Sequence, residues 1–173
     1  RRWLRRTVGE VPGLGELLER GSIQVIRDSA LRTGLPDSSV DLVVSNSVLE
    51  HVSDLDALTE ELNRICSLDA VQYHFVDFTD HQGSTDPFER IYKYSRDELN
   101  RLFVKRGLPI NLLRSPEMME RLSRRFEVQA TIFLDNSSYP SIRQCHSYWK
   151  GRFTDEEMGI EVAAFTLTRP RET

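Results

Sequence analysis

Apolar residues along the chain alternate between two spacings. Residues 14–20, LGELLER, carry the spacing of a short helix, and Gly21 stands where a helix-ending glycine is favoured. Residues 22–27, SIQVIR, and 40–45, VDLVVS, predict two strands separated by the turn-rich RTGLPDSS. The second run is almost continuously apolar, which predicts burial on both faces, as in a parallel sheet. Ser53 is the expected N-cap of a helix over 54–66, in which Leu55, Leu58, Leu62 and Ile65 form one stripe. Residues 70–77, AVQYHFVD, predict a third strand. Ser95 with Glu98, and Thr154 with Glu157, are capping-box pairs. Ser115-Pro116 opens another helix, with proline at its favoured first position. Residues 126–134 alternate, with Phe126, Val128, Ala130, Ile132 and Leu134 on one face of a half-buried strand, and residues 160–168, IEVAAFTLT, predict the last strand.

Strands interleaved with helices imply an α/β fold with helices on the faces of a sheet. The last two strands follow a longer helical stretch and are expected to form an antiparallel pair.

Composition narrows the functional classes. The 173 residues suit a single domain. A net charge of −4 argues against an obligatory nucleic-acid partner, although the first six residues, RRWLRR, are locally basic. No apolar run approaches the roughly 18 residues of a membrane span. The two cysteines, Cys66 and Cys145, form no CxxC motif. They suggest a reducing cytoplasm and give no support to a zinc site or a disulfide framework.

The segment from Thr33 to His81 reads TGLPDSSVDLVVSNSVLEHVSDLDALTEELNRI and then, after a strand, HFVDFTDH. It resembles class I S-adenosylmethionine-dependent methyltransferases, with their "LP-x-x-S-x-D-x-V" strand, "VLEH" turn, helix and fifth strand. More narrowly, it is similar to the bacterial ubiquinone-type methyltransferase group, whose "NRLR…GF" segment resembles INLLRSPEMMERLSRRFEV. Ser67-Leu68-Asp69-Ala70 stands where that group has Lys-Pro-Gly-Gly.

The resemblance implies a Rossmann-like sheet of strand order 3-2-1-4-5-7-6. Only 21 residues precede the first expected strand, too few for the two front strands and the Gly-x-Gly cofactor loop. The expected fold is therefore an incomplete α/β Rossmann-like methyltransferase sheet lacking its first two strands, with a C-terminal antiparallel pair. It would form one partial domain over 1–173, led by an arm over 1–21. Gly13-Leu14-Gly15 is preceded by Pro12 rather than a strand, so it reads as an ordinary turn.

The resemblance also assigns candidate residues. S-adenosylmethionine is the implied cofactor. Asp28, or its rival Ser29, would meet the adenine amine, with Ala30 beside it, and Asn46, Ser47 and Val48 would line the methionine side. His81 is the first choice for taking the acceptor's proton. His51, next to Glu50, is either a base or a structural residue of the turn. His74, Asp77, Asp80 and His81 suggest a metal, but residues three apart on a strand face opposite sides, so none is expected there. Tyr92 and Tyr94 either wall an acceptor site or pack a core.

The implied function is methyl transfer to a small-molecule or glycan-linked acceptor, impaired by the absent glycine-rich loop. The competing class is a non-catalytic interaction module, and a metal-dependent hydrolase is a third. Loss of central strands exposes a pairing edge, so a homodimer is expected, with the strand at 22–27 able to slide beside 40–45.

Overall fold

A computed structural model describes residues 13–21, 23–81, 85–106 and 110–169. Most of the expected N-terminal arm, residues 1–12, lies outside the described residues. The arm's described part is helix α1 (Leu14–Glu19), followed by Gly21 at φ +66°, a left-handed backbone that glycine adopts without penalty.

Four strands form one sheet in the order β1-β2-β4-β3: β1 (Val40–Asn46), β2 (Cys66–Asp77), β3 (Glu127–Asp135) and β4 (Ile160–Thr168). β1 and β2 are parallel, joined through a 3₁₀ turn (Leu49–His51) and helix α2 (Leu55–Ile65). β4 runs antiparallel to both β2 and β3, which gives the expected C-terminal antiparallel pair. This is the incomplete α/β sheet read from the sequence.

Residues 22–27 depart from the expectation. The described part of this segment is extended coil, with Val25 and Ile26 exposed, and it does not pair with β1. A strand exists through its ladder, and among the described residues no neighbour supplies one. The sheet is thus 4-stranded, not the five strands that sliding would give.

Helix α2 is capped by Asp54, not Ser53: the Asp54 carboxylate accepts from the Ala57 N–H at 2.9 Å. Its Leu55, Leu58, Leu62 and Ile65 are all buried against the sheet. β2 begins directly after this helix, four residues earlier than expected. Val40 pairs with Cys66 and Leu42 with Val71, so Ser67–Ala70 bulge out between them. The Ser67–Ala70 segment therefore takes the form of a bulge.

Helix α3 is a single turn (Glu89–Tyr92), and α4 (Arg96–Arg106) starts at the predicted capping box: Glu98 accepts from both the backbone and the hydroxyl of Ser95. Helix α5 (Ser115–Leu122) lies beside α2 on the sheet. Three single turns, α6 (Pro140–Arg143), α7 (Ser147–Lys150) and α8 (Asp155–Met158), lead into β4, and Thr154 caps α8 as predicted.

Two cores result. One lies between the sheet and α2 with α5 and contains Leu58, Ile65, Val76, Met118, Phe126 and Phe165. The other is a helical cap around Phe88, Tyr92, Leu99, Ile142, Trp149 and Met158. Tyr92 and Tyr94 belong to this second core, and the Tyr92 hydroxyl donates to the Met158 carbonyl at 2.6 Å, so the two tyrosines pack rather than wall a site.

Helices cover only one face of the sheet among the described residues. On the other face Leu42, Val44, Tyr73, Phe75 and Phe133 are exposed, and the Phe75 and Phe133 rings meet at 5.7 Å. β1 is therefore not buried on both sides as its apolar run suggests; Val44 is 63% exposed. The alternation of β3 also breaks near its end, where the pairing with β4 shifts between Ile132 and Leu134.

Candidate functional site

The carboxyl ends of β1 and β2 lie side by side, with Asn46 opposite Phe75. In an open α/β sheet this is the edge where ligands collect. Asn46 closes β1. Ser47 follows at φ +51°, its N–H donating to the Phe75 carbonyl at 2.9 Å, and Val48 is exposed. A left-handed serine is uncommon, and such backbone clusters at functional sites. It turns the chain sharply, so that Leu49 drops into the core and Glu50 and His51 face the end of β2.

Asn111 fixes that turn. Its amide donates to the carbonyls of Leu49 at 2.6 Å and Val52 at 3.0 Å, while its own N–H donates to the Glu50 carbonyl at 2.7 Å. Three residues on, Arg114 is 1% exposed. It donates to the carbonyls of Phe78 and Ile160 and sits 5.1–5.4 Å from the rings of Phe78, Phe88 and Tyr92. The INLLR segment thus holds the VLEH turn at one end and joins the two cores at the other.

At the end of β2, Asp77 accepts from the Thr79 N–H at 2.9 Å, and His81 turns back at φ +56°. Its Nδ1 lies 3.6 Å from the Asp77 carboxylate. The His81 and His51 rings stand 5.1 Å apart, tilted by 30°. The two candidate bases, 30 positions apart in sequence, therefore share one spot. Glu50 is beside them, 4% exposed, and neither of its carboxylate oxygens has a hydrogen-bond partner. Burial pushes its pKa up, against the backbone of Glu50 and Asp77 and the nearby imidazoles. Glu50, His51 and His81 each offer a ligand atom within 4.8 Å of the others, a spacing that suits a metal ion.

The other candidates separate from this spot. His74 points to the opposite side of β2, buried under α2. It bonds the Ser45 hydroxyl at 2.7 Å and approaches the Gln72 amide oxygen at 3.1 Å, and burial lowers its pKa to about 4. It ties β1 to β2 and shares no ligand shell with Asp77. Asp80 is buried, its N–H donating to Pro87. Asp28, Ser29 and Ala30 lie in the exposed loop rather than at a strand end. The Asp28 carboxylate accepts from the Ser29 N–H at 2.7 Å, and the Ser29 hydroxyl accepts from Leu31. Gly13 and Gly15 open α1, and the residues that lead into them lie outside the described residues.

Glu50, Asn111 and Arg114 escape sequence reasoning as site-building residues. Glu50 is visible only as half of a Glu-His pair, and Asn111 and Arg114 only as a motif fragment. Their roles depend on residues 59–62 and 36–46 positions away.

Comparison with known proteins bears on the fold. The family described as "Methyltransferase domain" matches residues 10–71. No curated protein sequence matches the chain significantly. Among solved structures, geranyl diphosphate C-methyltransferase from Streptomyces coelicolor A3(2), in complex with Mg2+, geranyl diphosphate and S-adenosyl-L-homocysteine, superposes with a TM-score of 0.55 at 13% identity, covering 90% of this chain and 57% of that one. The PH0226 protein from Pyrococcus horikoshii OT3 gives 0.55 at 12% identity, covering 90% and 64%. The cyclase SpnF gives 0.53 at 13% identity, covering 91% and 61%. The chain spans less than two thirds of the length of each, and the likeness is one of fold.

Proposed function

We propose that the chain is the acceptor-side part of a class I, ubiquinone-type methyltransferase that uses S-adenosylmethionine and acts in the cytoplasm on a small-molecule or glycan-linked acceptor. One observation carries the reading: the carboxyl ends of parallel β1 and β2 bring Asn46–Val48 and the His51–His81 pair to one edge. The family match over 10–71 and the methyltransferase neighbour support it.

When bound, S-adenosylmethionine supplies a methyl group on a sulfonium. The chain's own residues then have three tasks. Asn46, Ser47 and Val48 present exposed backbone and a sharp turn to the methionine side. His81, or His51 beside it, takes the acceptor's proton, with Asp77 lying 3.6 Å from the His81 Nδ1. The Asn111-fixed turn holds donor and acceptor sides in register, which is most of what methyl transfer asks of a protein. On the adenine side, Asp28 is turned onto its own backbone. That side fits the cofactor only after rearrangement, so binding by this chain is weak.

Calorimetric titration with S-adenosylmethionine tests the reading. Weak, saturable binding is expected. Low-micromolar affinity would show that the cofactor side is not impaired. No binding at millimolar cofactor would leave the non-catalytic module instead. The apolar face left uncovered among the described residues favours that second reading, and the likeness to SpnF, a cyclase, fits the rule that one fold hosts several chemistries.

A further inference from the structure

We propose that Glu50, His51 and His81 form a binding site for a divalent transition-metal ion of the zinc type. The three groups come from two separated places in the chain, the 3₁₀ turn after β1 and the loop after β2, and their ligand atoms converge within 4.8 Å. The buried member is the informative one. A carboxylate that is 4% exposed, with neither oxygen in a well-formed hydrogen bond and only the backbone of Glu50 and Asp77 nearby to favour its charge, bears a desolvation cost that native structures seldom leave uncompensated. A cation at the mouth of the cluster compensates it.

The surroundings are those of a built site. His81 is held at φ +56°, a backbone conformation uncommon for a non-glycine residue, and its ring reaches His51 from there. Asp77 lies 3.6 Å from the His81 Nδ1, and a carboxylate on one imidazole nitrogen is the usual companion of a metal on the other. Asn111 locks the turn that carries Glu50 and His51. Both histidines are exposed, so the ion has a path in and positions left open for other ligands.

Ligand chemistry selects the ion. Two imidazoles and one carboxylate suit zinc and its neighbours, whereas magnesium and calcium prefer oxygen ligands. In the methyl-transfer reading, on which this use of the ion alone rests, the open position takes an oxygen of the acceptor and polarises it. An imidazole lone pair cannot both bind the ion and take a proton, so the loaded site assigns His51 and His81 to ligation. The acceptor is then one that offers an oxygen.

The test is titration of chelator-stripped protein with Zn2+, and separately with Mg2+, by calorimetry, with Co2+ visible absorption as a second readout. One equivalent of Zn2+ should bind, Mg2+ should not compete at equal concentration, and Co2+ should give the bands of nitrogen ligation. Glu50→Gln and His81→Asn should each weaken Zn2+ binding at least tenfold. Asparagine tolerates the left-handed backbone, so His81→Asn serves even if Glu50→Gln fails to fold. His146→Asn, at the exposed histidine that caps α7, should change nothing. Absence of Zn2+ binding, unchanged affinity in His81→Asn, or an equal loss in His146→Asn would overturn the proposal. Zn2+ binding without any S-adenosylmethionine binding would keep the metal site and remove only the methyl-transfer reading.

Discussion

The Glu61 Oε1 lies 2.8 Å from the backbone nitrogen of Thr33 and 2.7 Å from its hydroxyl, so one carboxylate oxygen holds both groups of a residue 28 positions earlier. Arg64 completes the clamp. It bonds both Glu61 oxygens, then reaches the Leu35 carbonyl at 2.8 Å and Asp37 at 2.5 Å. The TGLPD loop is thereby fastened to α2. Its polar letters are explained by this attachment and not by contact with a ligand.

Glu61→Gln should therefore loosen the loop. Arg64 and Thr33 together hold the Glu61 carboxyl at about 2, well below its ordinary 4.5. The stabilisation is full above pH 4.5 and is lost as pH falls from there toward 2. The expected outcome is faster tryptic cleavage at Arg32 in Glu61→Gln than in wild type at neutral pH. Equal cleavage rates would show that the clamp does not order the loop.

His74 gives a second, separate pH window. Burial holds its imidazole at about 4 against an ordinary 6.5, so the folded state keeps it neutral. Between pH 6.5 and 4 the unfolded chain binds the extra proton, and stability rises with pH across that range. The difference corresponds to about 3 kcal/mol at most. The urea midpoint should fall on going from pH 7 to pH 4.5, and His74→Gln should flatten that dependence. A midpoint that changes equally in His74→Gln would assign it to other groups.

Arg114→Met should be among the most damaging single changes. It leaves the Phe78 and Ile160 carbonyls without their donor and removes a cation from three aromatic rings. The loss should be on the order of 3 kcal/mol or more, read as a lower urea midpoint at unchanged slope. A shift within 0.5 kcal/mol, roughly the scatter of ordinary surface changes, would contradict the role given to this residue.

The bare face of the sheet motivates the proposal of a homodimer. Four strands about 4.8 Å apart and about 20 Å long make a face on the order of 400 Å². That is about half of what each partner of a stable dimer usually buries, so the outer edge of β1, unpaired among the described residues, must contribute too. Light scattering should report a dimer of the 20.1 kDa chain, converted to monomer by Val44→Lys. A monomer at high micromolar concentration would rule the dimer out.

Much of the fold was legible because local signals and tertiary context agree. The α2 stripe, both capping boxes and the C-terminal antiparallel pair follow from spacing alone. The strand at 22–27 failed because a strand needs a neighbour, and periodicity carries no information about who that neighbour is. VDLVVS reads as buried on both sides, yet Leu42 and Val44 are exposed, for the same reason. Ser53 lost the cap to the adjacent Asp54, a one-residue boundary that sequence rarely decides. At the site, His51 and His81 were individually visible. Their meeting was not, because it depends on two left-handed residues, Ser47 and His81, whose backbone conformation the sequence does not mark. Asp28 was placed at the end of a strand that does not form.

The placement of Arg114 also bears on how the molecule comes apart. A single guanidinium lies among rings of both cores and bonds carbonyls at the end of β2 and the start of β4. The helical cap cannot swing away as a lid without taking the Phe88 and Tyr92 rings off a guanidinium that stays bonded to the Phe78 and Ile160 carbonyls of the sheet. Cap and sheet therefore melt in one cooperative step, and ligand traffic at the β1–β2 edge proceeds by local loop motion while the cap stays seated.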